Sequence, residues 1–320
     1  MPYKHLVIIG NGFDLHCGLK TSYSAYWEYF TRNCESVMVN NGINSIDGSS
    51  PFHKTYGLTS TKKDYDFWSN YEESLAHPDF EALRSLPFEQ QKQCLEDTIK
   101  LSDTIFRKWI TETYNNRSKN CKQGKVNEDA FFINFNYTPT LQDLFSAHNE
   151  QVHYLHGNLK TAQRLIVGHN SGPNNRPKKT VYGNSEIGLR CFYEDTYMYD
   201  SDKKSNWIKL QMTSKNVGQL SVYRANVNKI KTSPRPFETH GVEQITILGH
   251  SINKIDMTYF IYIHNKTKMN KPKWVVSYYK DNDKYNAIRL MSTLRLPETR
   301  FEIAEFDKAA NYVITYRNQL

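Results

Sequence analysis

The chain has 320 residues, of which 38% are hydrophobic and 13% aromatic, and its formal charge is +8. This length suffices for a full hydrophobic core, and the apolar content is too high for a disordered chain. The sequence has no apolar run near the roughly 20 residues of a membrane helix. Its five scattered cysteines include no C-x-x-C pair, so neither a disulfide framework nor a zinc motif is indicated. We therefore expect a globular protein of the reducing cytoplasm that does not enter a membrane.

The positive charge is concentrated in one polar segment. Residues 171–235 contain twelve Lys or Arg and five Asp or Glu, which is most of the excess in the whole chain. Such a surface attracts nucleic acid, polyphosphate or an acidic protein. We predict a basic polar insertion at about 171–235 that binds RNA or another acidic partner; a solvated insertion without a partner fits the composition equally well.

The first motif of the chain is a strand, a tight turn and the start of a helix. The apolar run 6–9 breaks at Gly10-Asn11-Gly12 and is followed by apolar residues at helical spacing. Glycines at such a turn admit a ligand close to the backbone, and the N–H groups at a helix start favour a phosphate. The fingerprint G-x-G-x-x-G is half met, because the next glycine is Gly18. The motif fits a phosphate-binding turn and an ordinary turn that binds nothing equally well.

Helices are predicted to follow this turn. Four aromatic residues at helical spacing predict one buried helix face: Tyr23, Tyr26, Trp27 and Phe30. Residues 39–63 have the composition of a loop, and helices are predicted at about 66–75 and 89–115, before a polar connection at 115–127. Together these helices predict a helical insertion at about 60–127.

The rest of the chain alternates between predicted strands and helices. Strands are predicted at 131–135, 152–155, 165–167, 245–248, 273–279 and 301–306, and a helix near 284–294. Between the first two strands, Thr138 suits a helix N-cap and Pro139 the first helical position. This order predicts an α/β, Rossmann-like fold, with a mainly parallel sheet and helices on both of its faces, in a single domain spanning residues 1–320.

Polar residues stand where several predicted strands end. They are Asn136, His156-Gly157, Gly168-His169-Asn170 and Gly249-His250-Ser251. Because ligands of parallel sheets bind outside the carboxyl ends of the strands, we expect one pocket lined by Gly10, Asn11, Gly12, Asn136, His156 and Gly249.

Six motifs in order resemble a known family. The segments are GNGFDLHCGLKTSY at 10–23, WSNYEESL at 68–75, FNYTPTL at 135–141, YLHG at 154–157, VGHN at 167–170 and LGHSINKID at 248–256. Together they resemble the AbiH-type phage abortive-infection proteins, over most of the chain except residues 172–240 and the C-terminal 50. The resemblance implies a role in bacterial defence against phage.

A more distant resemblance is to sirtuin-like NAD-binding domains, whose G-A-G opening corresponds to Gly10-Asn11-Gly12. It implies a catalytic His156, which matches the H-G of that family, and a catalytic Asn136. The nucleotide-binding residues that it implies are Gly10, Asn11, Gly12, Phe13, Asp14, Thr21, Tyr137, Gly249, His250 and Ser251. The four zinc cysteines of the deacetylating sirtuins have no counterpart here, so deacetylation is not expected.

The leading functional hypothesis is a nucleotide-acting enzyme that cleaves the glycosidic bond of NAD, with NAD or a related nucleotide as substrate and no cofactor required. A second hypothesis is an effector nuclease directed at RNA or tRNA, and a third is a non-catalytic nucleotide sensor. Converging histidines (His156, His169 and His250) suit a divalent metal, but no carboxylate stands at ligand spacing, so no metal site is predicted. The sequence leaves open a homo-oligomer and the roles of Asp14, His169, Glu72 and Glu73.

Overall fold

A computed structural model of the chain describes residues 3–40, 82, 85–87, 89–90, 93, 104–161, 165, 167, 241–252 and 256–317. The chain divides into two compact units. One comprises Met1–Thr21, Glu112–Gln163 and Val227–Leu320, and the other comprises Ser22–Thr111 and Arg164–Asn226. The first unit contains every strand of the described residues.

The first unit is built on a six-stranded parallel sheet. In chain order its strands are β1 (His5–Ile9), β3 (Ala130–Asn134), β4 (Val152–Tyr154), β5 (Gln244–Leu248), β6 (Lys273–Tyr278) and β7 (Phe301–Glu305). Their spatial order is β4-β3-β1-β5-β6-β7, and all five pairings are parallel. This is the 3-2-1-4-5-6 order of the Rossmann fold, in which the chain changes direction between the first and fourth strands. Here that switch point lies between β1 and β5.

Helices pack around this sheet. They are α1 (Asn11–His16), α4 (Thr140–Phe145), α5 (Met257–Thr267), α6 (Asp281–Leu294) and α7 (Phe306–Ala310). A second, antiparallel pair joins β2 (Gly124–Val126) to β8 (Ile314–Tyr316). Among the described residues, no helix combines the length and the apolar character that a membrane crossing requires.

The predicted α/β Rossmann-like fold with a mainly parallel sheet is confirmed, and six predicted strands are present with ends that match or differ by one residue. Two details differ. Leu165 and Val167 are buried but lie outside any strand, because an apolar run of three residues does not distinguish a strand from a buried loop. The connection predicted at 115–127 contains β2, whose three residues carry no period-2 apolar pattern.

The start of α4 also differs by one position. Pro139, not Thr138, is its N-cap, and the Thr138 side chain makes no capping bond. The Thr138 hydroxyl instead donates to the carboxylate of Asp14. The Thr138 hydroxyl, which the sequence predicts to cap the helix, is therefore bonded to an acceptor far away in the chain.

In the second unit, α2 (Tyr23–Asn40) presents the predicted aromatic face. Tyr26 and Phe30 are buried, whereas Tyr23 and Trp27 are partly exposed. The Tyr26 ring lies 5.3 Å from Phe106 and 4.9 Å from Trp109, both on α3 (Phe106–Asn115). The described end of the helix predicted at 89–115 is thus helical. The helix predicted at 66–75 and most of the loop at 39–63 lie outside the described residues.

The switch point of the sheet is closed by backbone packed directly on backbone. A Cβ atom placed on Gly12 would lie 2.7 Å from the carbonyl oxygen of Gly249, and one on Gly10 would lie 2.6 Å from the Cα of His250. Gly249 itself has a positive φ of 61°. The amide of Gly12 donates to the carbonyl oxygen of Gly249 at 2.7 Å. The space between these two strand ends is therefore too small for a side chain, and only glycine fits.

This junction predicts a large difference between two substitutions at positive φ. A Cβ on Gly249 would lie 2.3 Å from the amide nitrogen of Phe13, whereas one on Gly18, with φ of 94°, meets its nearest atom at 3.8 Å. Each alanine costs about 1 to 2 kcal/mol of backbone strain. Gly249→Ala adds a clash with backbone, so we expect it to lower the free energy of unfolding in urea by at least about 2 kcal/mol more than Gly18→Ala. Equal losses would contradict the packing described here.

Candidate functional site

Four adjacent strands end at one level of the sheet. The paired residues that form this last row are Ile9, Asn134, Tyr154 and Leu248. The residues two positions further along each strand are Asn11, Asn136, His156 and His250. The register of the sheet thus places four polar side chains, at the same offset, along the carboxyl edge that flanks the switch point. This is where ligands of Rossmann folds bind.

The turn between β1 and α1 has few free backbone donors. The amide of Gly12 is bonded to Gly249, and that of Phe13 donates to the carbonyl oxygen of Gly10 at 2.9 Å. These are two of the amides that a phosphate at this turn would need, and α1 has only six residues. The geometry therefore gives the Gly10-Asn11-Gly12 turn a packing role, which accounts for both glycines without a ligand.

Asn11 ties this turn to the end of the next segment. Its side-chain amide donates to the Thr21 carbonyl oxygen at 2.9 Å, and its Oδ1 accepts from the Thr21 hydroxyl at 2.7 Å. Both polar groups of the Asn11 side chain are engaged with the same residue. Asn11 and Thr21 are thus brought together, and their mutual bonds hold the loop that follows α1.

Asn136 is buried directly beside this turn. Its amide nitrogen Nδ2 donates to the carbonyl oxygen of Gly10 at 3.1 Å. Its backbone amide donates to Oδ1 of Asn134 at 2.8 Å, which is an Asx-type turn. Two strand ends, β1 and β3, are therefore joined through one asparagine side chain at the edge of the crevice.

Asp14 is a buried carboxyl group beneath these residues. Its Oδ2 accepts from the Thr138 hydroxyl, which lies 2.9 Å from the hydroxyl of Thr140. Its Oδ1 is buried and has no hydrogen-bond partner among the described residues. Burial raises the pKa of Asp14 to about 6, and the hydrogen bond from Thr138 opposes this shift. The group therefore changes charge close to neutral pH.

His156 lies in an aromatic environment at the end of β4. Its ring is 5.5 Å from Phe135, 6.2 Å from Tyr137 and 6.3 Å from Tyr259. Burial lowers the pKa of His156 to about 4, so the ring is neutral at pH 7. Its Nδ1 is buried without a hydrogen-bond partner among the described residues. A neutral imidazole with a free nitrogen is able to accept a proton or a hydrogen bond.

His250 shapes the turn after β5. Its Nδ1 accepts from the backbone amide of Ile252 at 2.9 Å, which assigns the proton to Nε2, and Nε2 lies 3.5 Å from Oδ2 of Asp256. Burial, with the nearby His156 as a second cause, lowers the pKa of His250 to about 3. Both ring nitrogens thus have partners within the protein. Ile252 is held at φ of 52°, a strained conformation for a β-branched residue and one that recurs at functional sites.

The remaining candidate residues divide into three groups. Phe13 packs its ring against Phe145 and Phe306 in the core, so its side chain does not line the crevice. Tyr137 is buried beside His156. Ser251, which follows His250, has an exposed side chain. The third group lies outside the described residues: His169, Glu72, Glu73 and the basic segment 171–235.

Sequence reasoning missed two parts of the site. Phe135 lies between the two histidines, with its ring 5.5 Å from that of His156 and 4.6 Å from that of His250. It looked like an ordinary strand residue. Thr138 looked like a helix-start residue, and only the position of Asp14 reveals the second use of its hydroxyl. Within the described part of the chain, no group of three or more His, Cys, Asp or Glu side chains is arranged to hold a metal ion.

The arrangement suits chemistry that needs orientation and proton acceptance. It provides a neutral imidazole, an amide and a carboxyl group of raised pKa, and aromatic rings shield the imidazole from water. Groups whose environments shift their pKa values strongly are concentrated at functional sites.

The buried Asp14 predicts an unusual pH dependence of stability. Its carboxyl has a pKa of about 6 when folded and 3.8 as its ordinary value, so the folded state binds the proton more tightly. The Asp14 contribution to the free energy of unfolding therefore falls as pH rises from about 4 to 6. Asp14→Asn should stabilise the protein at pH 7.5 by on the order of 1 to 3 kcal/mol, and have little effect at pH 4.

Urea unfolding at both pH values measures this difference. Asp143→Asn is the matched control, because Asp143 accepts from Tyr114 at 3.0 Å and pairs with Lys160. Its removal should destabilise the protein. A destabilising Asp14→Asn at pH 7.5 would contradict the assignment of Asp14 as a group that burial keeps from ionising easily.

Comparison with known proteins gives one match. The family model described as "Bacteriophage abortive infection AbiH" matches residues 6–93 and 84–278. Searches of the curated proteins and of the solved structures gave no significant match. The matched residues cover most of the chain and include the strand ends of β1, β3, β4 and β5. The chain therefore belongs to the bacteriophage abortive infection AbiH family.

Proposed function

We propose that the protein acts in abortive infection as an enzyme that cleaves the bond between nicotinamide and ribose in NAD. The observation that carries this proposal is the common offset of Asn136 and His156 beyond the last paired row of β3 and β4. An amide and a neutral imidazole stand on adjacent strands, at the edge where Rossmann folds bind nucleotides. The sirtuin-like pattern of the sequence pairs the same two residue types.

The chemistry requires little covalent participation by the protein. The bond from C1′ of the ribose to the pyridinium nitrogen breaks, and its electron pair neutralises the departing nicotinamide. Water then attacks the oxocarbenium-like C1′ and loses a proton, which gives ADP-ribose, nicotinamide and a proton. In this proposal Asn136 orients the water or a ribose hydroxyl, and the free imidazole nitrogen of His156 takes the proton.

The environment of His156 supports an acceptor role at physiological pH. With a pKa of about 4, His156 is unprotonated from pH 6 to 8. The buried rings around it exclude bulk water, which strengthens electrostatic interactions within the crevice. The tight packing of Gly12 on Gly249 leaves the α1 amides out of the proposal, so binding does not depend on a phosphate at that turn.

The central test is release of nicotinamide from NAD by the purified protein, followed by chromatography. His156→Ala and Asn136→Ala should each lower the rate by about 10² to 10⁴, the usual cost of losing a positioned base. Two residues of the opposite, amino edge provide matched controls: His5 begins β1, and Asn127 donates to the Tyr312 carbonyl oxygen at 3.1 Å. His5→Ala and Asn127→Ala should retain the activity of the wild type.

Total RNA in a parallel incubation tests the alternative substrate class. Under the present proposal RNA stays intact, and Lys178→Glu combined with Lys179→Glu in the basic segment leaves NAD turnover unchanged. Degradation of RNA by a protein that does not consume NAD would overturn the proposal in favour of a nuclease. Full NAD turnover by either site variant would show that the named residue is not catalytic.

A further inference from the structure

Arg289 on α6 is a charged side chain at the crevice that the proposed chemistry leaves unused. Its Nη2 donates to the carbonyl oxygen of Ile252 at 2.9 Å, which places the guanidinium on the turn that follows β5. Its Nε is buried and has no hydrogen-bond partner among the described residues. The residue as a whole is only partly buried. A buried donor of a charged group that lacks an acceptor is costly and calls for an explanation.

Holding the turn does not explain the charge of Arg289. Asn286, one turn earlier on α6, donates from Nδ2 to the carbonyl oxygen of Ser251 at 3.0 Å. An uncharged amide is thus sufficient for one anchor of the same turn. The guanidinium has several further N–H donors that the bond to Ile252 does not use.

The turn that Arg289 contacts also carries a neighbour of the proposed catalytic histidine. The Ile252 amide donates to Nδ1 of His250 at 2.9 Å. The His250 ring lies 4.6 Å from that of Phe135, which in turn lies 5.5 Å from that of His156. Arg289 is therefore connected to His156 through contacts along one edge of the sheet. Because β4 and β5 are three strand positions apart, this edge spans about 14 Å, which an extended dinucleotide can bridge.

A dinucleotide substrate brings a diphosphate whose charge needs a partner. The amides of Gly12 and Phe13 at the turn after β1 are already bonded within the protein, so they do not supply it. A guanidinium bonds two phosphate oxygens at once through its planar fork, and it stays charged throughout the physiological pH range. Arg289 provides such a group at the turn after β5.

We propose that Arg289 binds the diphosphate of the nucleotide substrate through the fork of its two Nη nitrogens, while Nη2 keeps its bond to Ile252. The inference rests on the proposed function for the identity of the substrate as NAD. Binding of a diphosphate by Arg289 is a property of the free protein and requires no turnover.

Isothermal titration calorimetry with ADP-ribose, ADP and adenosine tests this proposal, because ADP and adenosine differ only in the diphosphate. Arg289→Gln should weaken the binding of ADP-ribose and ADP by about 10- to 100-fold, the effect of losing charge-assisted hydrogen bonds, and leave the affinity for adenosine unchanged. Unchanged affinity for ADP-ribose, an equal loss for adenosine, or no binding of ADP-ribose by the wild type would each overturn the proposal.

Two control variants separate phosphate binding from other effects of the substitution. Arg300 is also a partly exposed arginine, but it precedes β7 at the amino edge of the sheet, so Arg300→Gln should bind ADP-ribose like the wild type. Asn286→Ala removes the uncharged anchor of the turn, and it should also retain the affinity for ADP-ribose. If Asn286→Ala loses as much affinity as Arg289→Gln, Arg289 acts only by holding the turn and the proposal is wrong.

A second substitution keeps the test valid if Arg289→Gln does not fold. Arg289→Lys retains a positive charge and a donor for the Ile252 carbonyl oxygen, but a single ammonium replaces the planar fork. Its affinity for ADP-ribose should fall by less than that of Arg289→Gln, and its affinity for adenosine should not change. Wild-type affinity for ADP-ribose in Arg289→Lys would overturn the assignment of the fork to the diphosphate.

Competition experiments distinguish the sources of the phosphate. Inorganic pyrophosphate should displace ADP-ribose less effectively than ADP does, because it lacks the nucleoside. Equal displacement would indicate a site for free phosphate and contradict a nucleotide site. Single-stranded RNA that binds through Arg289, with no binding of ADP-ribose, would overturn the proposal in favour of a nucleic-acid contact.

Turnover separates this inference from the proposed function. If the wild type hydrolyses NAD, Arg289→Gln should raise KM by roughly 10- to 100-fold and leave kcat near its wild-type value, as expected for a group that binds substrate and transition state equally. An unchanged KM would overturn this inference alone. If the wild type binds ADP-ribose through Arg289 but releases no nicotinamide from NAD, the proposed function fails and the diphosphate site stands.

Discussion

The contact between two stretches of backbone at the switch point is the constraint on which the rest of this fold depends. Gly10 and Gly12 approach the Gly249 turn so closely that no Cβ atom fits on any of the three. The bond from the Gly12 amide to the Gly249 carbonyl oxygen fixes the start of α1 against the end of β5. This contact aligns the carboxyl ends of β1 and β5. The parallel register of the sheet then aligns the ends of β3 and β4 with them. The polar side chains of the edge are aligned because these backbones meet.

The same contact gives a structural reason for Gly10 and Gly12. A Gly-x-Gly turn after a buried strand is compatible with phosphate binding, and local sequence alone cannot separate that use from close packing. The distinction depends on Gly249, more than 230 positions away in the chain. The polar side chains buried at this edge include Asn136, His156 and Asp14, which lie on neighbouring elements. Among the described residues, this edge therefore presents polar side chains and aromatic rings.

The sequence predicted the fold better than the details of the site. Buried strands such as 245–248 are short apolar runs bounded by polar turns, and their alternation with helices fixes a parallel sheet by general rules of connection. Those rules also place Asn136, His156 and His250 at one edge. They do not reveal that both ring nitrogens of His250 have partners in the turn that follows β5, or that the Thr138 hydroxyl donates to Asp14. Such pairings join residues far apart in sequence, so no local pattern records them.

The order of the strands has a consequence for the moment at which the edge is assembled. His156 is synthesised 94 residues before His250, and the strand that brings His250 into place follows the long segment between them. Pairing strands that are so far apart in sequence costs entropy before the contacts of β5 are gained. In a ribosome-bound chain, β1, β3 and β4 can be paired while β5 is still absent from the sheet. The row of strand-end side chains is therefore complete only after residue 250 has been synthesised and has left the ribosome.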